Sequence, residues 1–167
     1  MKAKKFLILF SGIILTQICI AQNHLINQEA NYYDHWVGEW YKEVNGKVDK
    51  LPSFVVTQGL YRGSFEETWI GAGGSFSKAW RAWDNRTKKW DFAWMSVDGL
   101  FQIWKGKKVN DIWYMYNTFI LDNGEEILSR QAFIPQGSSV LVRTSEHSKD
   151  NGKTWKLRFR EKYIKRK

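Results

Sequence analysis

The sequence contains little cysteine, proline or histidine. Its 167 residues include one cysteine, two prolines and three histidines. Cys19 lies in the apolar N-terminal stretch, so the rest of the chain can form no internal disulfide. Scattered histidines without cysteine partners do not make the clustered ligand set of a zinc site, and neither a metal nor a cofactor is predicted. A packed core must therefore stabilise the fold.

Long apolar runs are also missing beyond the N-terminus. Three lysines precede the apolar stretch Phe6–Ile20, which is followed by Ala21. A basic start, a short apolar core and a small residue at its end are typical of a secretory signal peptide, and the stretch is too short and interrupted for a good membrane span. Lipidation at Cys19 is the alternative, although Ile18 stands where a lipoprotein signal needs a small residue.

We expect cleavage after Ala21, which divides the chain into a signal peptide, residues 1–21, and one domain, residues 22–167. A domain of this size can bury a core. The expected location is secreted or periplasmic, with no transmembrane segment after cleavage. Export also argues against nucleic acid as a partner, despite a formal net charge of +9 for the whole chain.

The remaining sequence is rich in aromatic residues and punctuated by turn signals. It reads as strand, turn, strand, preceded by a short helix over residues 27–35. Four dipeptides suit tight hairpin turns: Asn45-Gly46, Asp98-Gly99, Asn123-Gly124 and Asn151-Gly152. The predicted strands are Trp36–Glu43, Ser53–Gln58, Leu60–Ile70, Ser75–Trp83, Lys89–Ser96, Gly99–Lys105, Asp111–Leu121, Glu126–Ile134, Ser139–His147 and Thr154–Ile164.

Short hairpins between about ten strands predict an all-β fold, an antiparallel up-and-down β-barrel. Closure into a barrel removes exposed strand edges, which favours it over an open sheet. A two-sheet β-sandwich is the alternative fold. In the last predicted strand, apolar side chains alternate with basic ones, as a strand with one buried face requires. The final residues, Lys165 to Lys167, are expected to form a frayed tail.

The first strand carries the signature Gly38-Glu39-Trp40. This motif resembles the glycine-any-tryptophan opening of lipocalin-like (calycin) barrels, and the chain also resembles secreted bacterial domains of unknown function with that barrel. The resemblance implies that the tryptophan packs across one barrel end against a basic side chain from a late strand. Arg158 and Arg160 are the residues expected in that role.

A second motif, Ser148 to Trp155, resembles the Asp-box of sialidase propellers. One copy cannot make a propeller, which needs several blades. We interpret it instead as a structural hairpin in which Asp150 bonds turn backbone groups, Gly152 takes the special φ and Trp155 packs under the turn.

A ten-stranded barrel is wide enough to leave a cavity, and the middle strands are rich in tryptophan. The candidate ligand-binding residues are Trp80, Trp94, Trp104 and Arg130. The leading hypothesis is therefore an exported protein that holds a small apolar or amphipathic molecule in the barrel. His147, next to a turn, is interpreted as a solvated residue.

Two other functions remain open. The basic C-terminal strand could bind an anionic polysaccharide or another envelope polymer. The barrel could instead host isomerase, cyclase or hydrolase chemistry, although no catalytic residue stands out in the sequence.

Overall fold

A computed structural model describes residues 29–166, without the side chain of Ala72. The chain divides into two units, Met1–Tyr33 and Asp34–Lys167. The described part of the first unit begins with one helical turn at Glu29 and Ala30, inside the range 27–35 where a short helix is predicted. The predicted signal peptide lies outside the described residues.

The described part of the second unit contains eleven strands and one 3₁₀ turn, Ala72–Gly74, between the fourth and fifth strands. The bounds are β1 Gly38–Val44, β2 Lys47–Val48, β3 Phe54–Gln58, β4 Ser64–Ile70, β5 Phe76–Asp84, β6 Lys89–Ser96, β7 Phe101–Val109, β8 Ile112–Ile120, β9 Glu126–Pro135, β10 Val140–Ser148 and β11 Lys156–Arg166. Only the short strand β2 has no counterpart among the ten predicted strands.

The predicted fold is confirmed. β1 pairs antiparallel with β3, each strand from β3 to β11 pairs antiparallel with the next one along the chain, and β11 closes the sheet by pairing with β1. This gives a closed barrel of ten strands, to which β2 adds a two-residue extension beside β1. Because all described strands belong to one closed sheet, the alternative of a two-sheet sandwich is wrong.

The closing seam joins β1 and β11 over five residue pairs, from Glu39 opposite Arg166 to Glu43 opposite Lys162. Two ion pairs, Lys162 to Glu43 and Lys42 to Glu161, each at 2.8 Å, span the same seam. The last strand therefore continues through Lys165 and Arg166, and the expectation that these residues form a frayed tail is wrong. Lys167 lies outside the described residues.

One end of the barrel is filled by aromatic side chains. The ring centroids of Trp83 and Trp90 are 5.9 Å apart, and those of Trp83 and Trp113 are 5.8 Å apart. Gly106 makes this packing possible, because a Cβ at that position would stand 2.0 Å from the backbone oxygen of Trp90. Phe65 and Met115 are also fully buried there. The interior stays open towards the opposite end.

Candidate functional site

A cavity of about 950 Å³ occupies the barrel towards the end where β4 connects to β5 and β6 connects to β7. Its mouth lies among residues 70–77, residues 96–100 and residues 119–121. Pockets that bind small organic molecules have volumes of roughly 300–1,000 Å³, so the cavity is large enough for such a ligand.

Aromatic rings form the wall contributed by β4 and β6 to β8. They alternate along their strands with residues of the outer face, so that every second side chain points inward. The rings of Trp104 and Phe119 meet edge to face with centroids 5.6 Å apart, and Trp104 Nε1 donates to Gln102 Oε1 at 3.2 Å. The aromatic residues on this wall are Trp69, Phe92, Trp94, Trp104 and Phe119.

A fully buried ion pair lies behind the aromatic rings. Arg81 Nε contacts Glu67 Oε1 at 2.8 Å, and neither side chain is exposed. Glu67 also accepts the indole protons of Trp36 at 3.0 Å and Trp69 at 2.9 Å. The guanidinium carbon of Arg81 lies 4.8 Å from the ring centroid of Phe92. The indole of Trp69, a cavity-lining ring, is thus oriented by a buried carboxylate.

The wall formed by β9, β10 and β11 is polar. Arg143 extends from β10 over the rings of Trp69, Phe133 and Phe159, at 4.9, 5.5 and 5.0 Å from their centroids. Its Nη2 donates to Gln131 Oε1 at 3.1 Å. Stacking on three rings holds the guanidinium in one place beside the cavity.

Glu161 forms an ion pair with Arg143 but does not neutralise all the positive charge around it. Its carboxylate contacts Lys42 Nζ at 2.8 Å and Arg143 Nη1 at 3.4 Å, and it accepts the hydroxyl proton of Tyr163 at 2.7 Å. Burial works to raise the pKa of Glu161, but these hydrogen bonds and the charge of Arg143 outweigh it and hold the pKa below its usual value. Two cations thus share one carboxylate, and the group carries a net positive charge.

A β-bulge brings a second arginine to the cavity. Ser145 pairs with Phe159 and the next residue, Glu146, pairs with Leu157, so Arg158 has no partner across the ladder. The extra residue breaks the alternation on β11, and Arg158 lines the cavity. The predicted alternation through this segment is therefore wrong: Leu157 is 54% exposed.

His147 is half-buried and lines the cavity, so it lies on the inner face of the barrel. Burial, and secondly the charge of Arg158, lower the pKa of His147, which keeps the ring neutral at pH 7. Its Nε2 atom is buried without a hydrogen-bond partner among the described residues. The Nε atom of Arg143 is in the same situation. Such unsatisfied buried atoms are few in native proteins and need an explanation.

The end of the barrel that is filled by aromatic side chains also contains the glycine-any-tryptophan motif. Trp40 is fully buried and its Nε1 donates to the backbone oxygen of Trp36 at 2.8 Å. The basic side chain above it is Lys165, whose Nζ lies 5.3 Å from the ring centroid and donates to the backbone oxygen of His35 at 2.7 Å. Gly38 has φ +137°, and a Cβ there would lie 2.7 Å from Lys165 Cδ.

The expectation that Arg158 or Arg160 covers Trp40 is therefore wrong. Lys165 pairs directly with Trp40 across the seam, whereas the other two residues lie further back along β11. Both side chains are exposed: Arg158 lies at the cavity, whereas Arg160 pairs with Thr144.

Two of the four candidate ligand-binding residues, Trp94 and Trp104, line the cavity together. The other two lie on the outer face of the barrel. Trp80 is 44% exposed, because its neighbours Ala79 and Arg81 take the inward positions of β5. Arg130 forms an ion pair with Glu146 at 2.7 Å, and its guanidinium lies 4.0 Å from the ring centroid of Trp155.

The β10–β11 connection forms a tightly bonded hairpin. Asp150 accepts from Ser148 Oγ at 2.6 Å, from the Thr154 backbone nitrogen at 2.9 Å and from Thr154 Oγ1 at 2.6 Å. These bonds lower the pKa of Asp150 to about 2, with the Ser148 hydroxyl as the largest cause. Gly152 has φ +85° and donates its backbone proton to Ser148 Oγ at 2.7 Å. Trp155 packs outside the barrel, against Arg130.

Sequence reasoning missed the polar wall. Arg143 directly follows the strongly apolar run Val140 to Val142, and a charged residue of inward parity at that place is itself a signal of a built interior site. The same parity places Ser145 and His147 inside. Arg158 could not be found in this way, since the bulge that turns it inward has no clear sequence signature.

No protein-family model matches the chain, and comparison with curated proteins finds no relative. Within residues 29–166, no helix combines the length and apolar character that crossing a membrane requires. The same residues contain no group of three or more histidine, cysteine or carboxylate side chains placed to hold a metal ion. The function must therefore be argued from the cavity.

Proposed function

We propose that this protein, after export, binds a small apolar or amphipathic molecule in the barrel cavity. The observation that carries the proposal is a space of about 950 Å³, walled by tryptophan and phenylalanine rings and open at one end of a closed barrel. Burial of apolar ligand surface against such rings supplies about 25 cal/mol per Å². The polar groups of the opposite wall would orient the bound molecule.

The cavity supports binding better than catalysis. Among its described lining residues Asp98 is the single carboxylate, and this residue accepts a hydrogen bond from Ser96 at the mouth. A general acid and base pair needs two titratable groups that converge on one substrate position. The polar wall instead supplies arginine, glutamine, serine and a neutral histidine, which suit recognition.

The outer basic surface gives less support to the glycan alternative. Lys162 is engaged by Glu43, and Arg166 packs 4.2 Å from the ring centroid of Tyr41 while donating to the backbone oxygen of Asp49 at 3.0 Å. These basic side chains take part in closing the barrel. Their positions are explained without a polymer partner.

A titration with an uncharged solvatochromic dye such as Nile red tests the proposal. Trp94 and Trp80 form a matched pair, because they lie on neighbouring strands but on opposite faces of the sheet. We expect Trp94→Ala to weaken dye binding roughly tenfold, a loss of about 1.4 kcal/mol. Trp80→Ala should leave the affinity within about twofold. Equal weakening in both variants, or no saturable binding by the native protein, would contradict a cavity ligand.

A further inference from the structure

The charges around the cavity are unevenly distributed. Arg143, Arg158 and His147 lie on the β10 and β11 wall, whereas the carboxylate of Asp98 lies in the β6–β7 loop at the mouth. The β4 and β6–β8 wall presents apolar rings. A ligand that fills this space would meet apolar surface on one side and hydrogen-bond donors on the other.

The donors on the polar wall are incompletely used by the protein. Arg143 has a buried Nε without a partner, and its Nη1 shares Glu161 with Lys42 at the longer distance of 3.4 Å. Arg158 has no carboxylate within salt-bridge distance among the described residues, and the Nε2 of His147 is buried and unsatisfied. Arg158 is exposed, so its guanidinium can reach an acceptor in the cavity.

The net charge of the polar wall identifies the acceptor. Lys42, Arg143 and Glu161 together carry one net positive charge, and Arg158 adds another at the mouth of the same wall. A neutral acceptor would use the hydrogen-bonding capacity but leave these charges uncompensated. A carboxylate satisfies both, because arginine donates two parallel hydrogen bonds to it.

We infer that the ligand is an apolar carboxylic acid, with its body against the aromatic wall and its carboxylate between Arg143 and Arg158, within reach of His147. This inference rests on the proposed function, since it requires the cavity to be the binding site. It goes further by naming the charge of the ligand and the residues that hold it.

Two probes with the same apolar body separate the inference from the proposed function. Pyrenebutyric acid carries a carboxylate, and pyrenebutanol replaces it with a hydroxyl. We expect the native protein to bind the acid about tenfold more tightly in a fluorescence titration at pH 7, as a charge-assisted hydrogen bond replaces a neutral one.

Arg158→Gln is the decisive variant, and Arg160→Gln is its control. The two arginines lie two positions apart on β11 and both are exposed, but Arg158 lines the cavity whereas Arg160 is absent from its wall. Arg158→Gln should weaken binding of the acid three- to tenfold and leave the alcohol unchanged, whereas Arg160→Gln should change neither. Arg143→Gln, checked for folding by circular dichroism, should remove the remaining preference for the acid.

The outcomes are distinct. If the acid and the alcohol bind with equal affinity and Nile red displaces both, the carboxylate inference is overturned and the cavity function stands. Equal effects of Arg158→Gln and Arg160→Gln would show that the acid responds only to overall charge, which also overturns the inference. Failure of both probes and of Nile red to bind would overturn the proposed function together with the inference.

Discussion

Gly38 and Lys165 depend on each other at the closed end of the barrel. The backbone of Gly38 has φ +137°, which a side chain rarely permits, and the aliphatic part of Lys165 occupies the space that a Cβ would need. This close approach lets the lysine reach the ring of Trp40 and the backbone oxygen of His35. The glycine of the motif is therefore required for two reasons: its backbone conformation, and the space beside it that Lys165 occupies.

Gly38→Ala should lower the free energy of unfolding by roughly 1–3 kcal/mol, measured in a urea melt, because the substitution adds backbone strain and displaces Lys165. Gly124→Ala is the control: it has φ +80° with no heavy atom within 4 Å of the added Cβ. The control should lose only the smaller cost of a left-handed residue, about 1 kcal/mol. Equal losses would show that the contact with Lys165 contributes nothing.

At the same scale, alternation along strands predicts side-chain direction only where the strand is regular. Trp94 and Trp104 are inward residues of regular strands, so the sequence could place them at the cavity. The sequence leaves the direction of the Trp80 side chain open, because Trp83 on the same strand has the opposite parity. In the structure Trp83 points inward. Arg130 was misplaced because its charge alone gives no indication of which face it occupies.

At the scale of elements, the β10–β11 hairpin combines a rigid turn with an irregular ladder. Asp150 and Ser148 satisfy the backbone groups of the turn, and a few residues later the bulge turns Arg158 towards the cavity. The turn motif could be recognised in the sequence because its residues bond to groups only a few positions away. The bulge was not, because it depends on how two distant ladders fit together.

The hairpin should make stability depend on pH in the acid range. A carboxyl group whose pKa is lower in the folded than in the unfolded chain stabilises the fold above its unfolded pKa, and this contribution is lost as the pH falls through the folded value. For Asp150 the window runs from about 4, its ordinary pKa, down to about 2.

Asp150→Ala should therefore be less stable than the native protein at pH 7, and the difference should shrink as the pH falls from about 4 to about 2. Thermal melts followed by circular dichroism at several pH values would measure it. Asp122→Ala, an exposed residue of another turn, is the matched control and should show little difference at any pH. A constant difference across this range would contradict the assigned role of the carboxylate.

At the scale of the whole molecule, the Glu67–Arg81 pair connects distant parts of the barrel. It joins β4 to β5, accepts the indole proton of Trp36 from the segment before β1, and lies against Phe92 and Phe133 on β6 and β9. Removal of one partner from a buried ion pair leaves a charge uncompensated in a medium that solvates it poorly.

Arg81→Met should destabilise the protein by roughly 3–5 kcal/mol. The double variant Glu67→Leu/Arg81→Met should be more stable than Arg81→Met, since it removes the isolated charge. Lys105→Met, which breaks the exposed pair with Asp91, should cost less than about 1 kcal/mol. Urea melts of the three variants decide the point: a double variant that is no more stable than Arg81→Met would contradict a coupled pair.

The strands and the barrel could largely be predicted from the sequence, whereas the cavity could not. Turn dipeptides and aromatic segments act between neighbours along the chain, so they predict hairpins, and hairpins in series predict an up-and-down sheet. The closure partner and the extent of the filled end depend on packing across the barrel. Gly106, whose missing side chain admits Trp90, determines that packing without any sequence pattern.

The seam between β1 and β11 also has a kinetic consequence. All the other strand pairings in the barrel join strands that are close in sequence. The seam instead joins residues such as Lys42 and Glu161, which are 119 positions apart. Loop-closure entropy places such pairing late in folding, so the edges of β1 and β11 stay exposed in the meantime. Lysines and arginines on an unpaired edge discourage intermolecular strand pairing. The basic residues of β11 therefore place positive charge on that edge during the interval before the barrel closes.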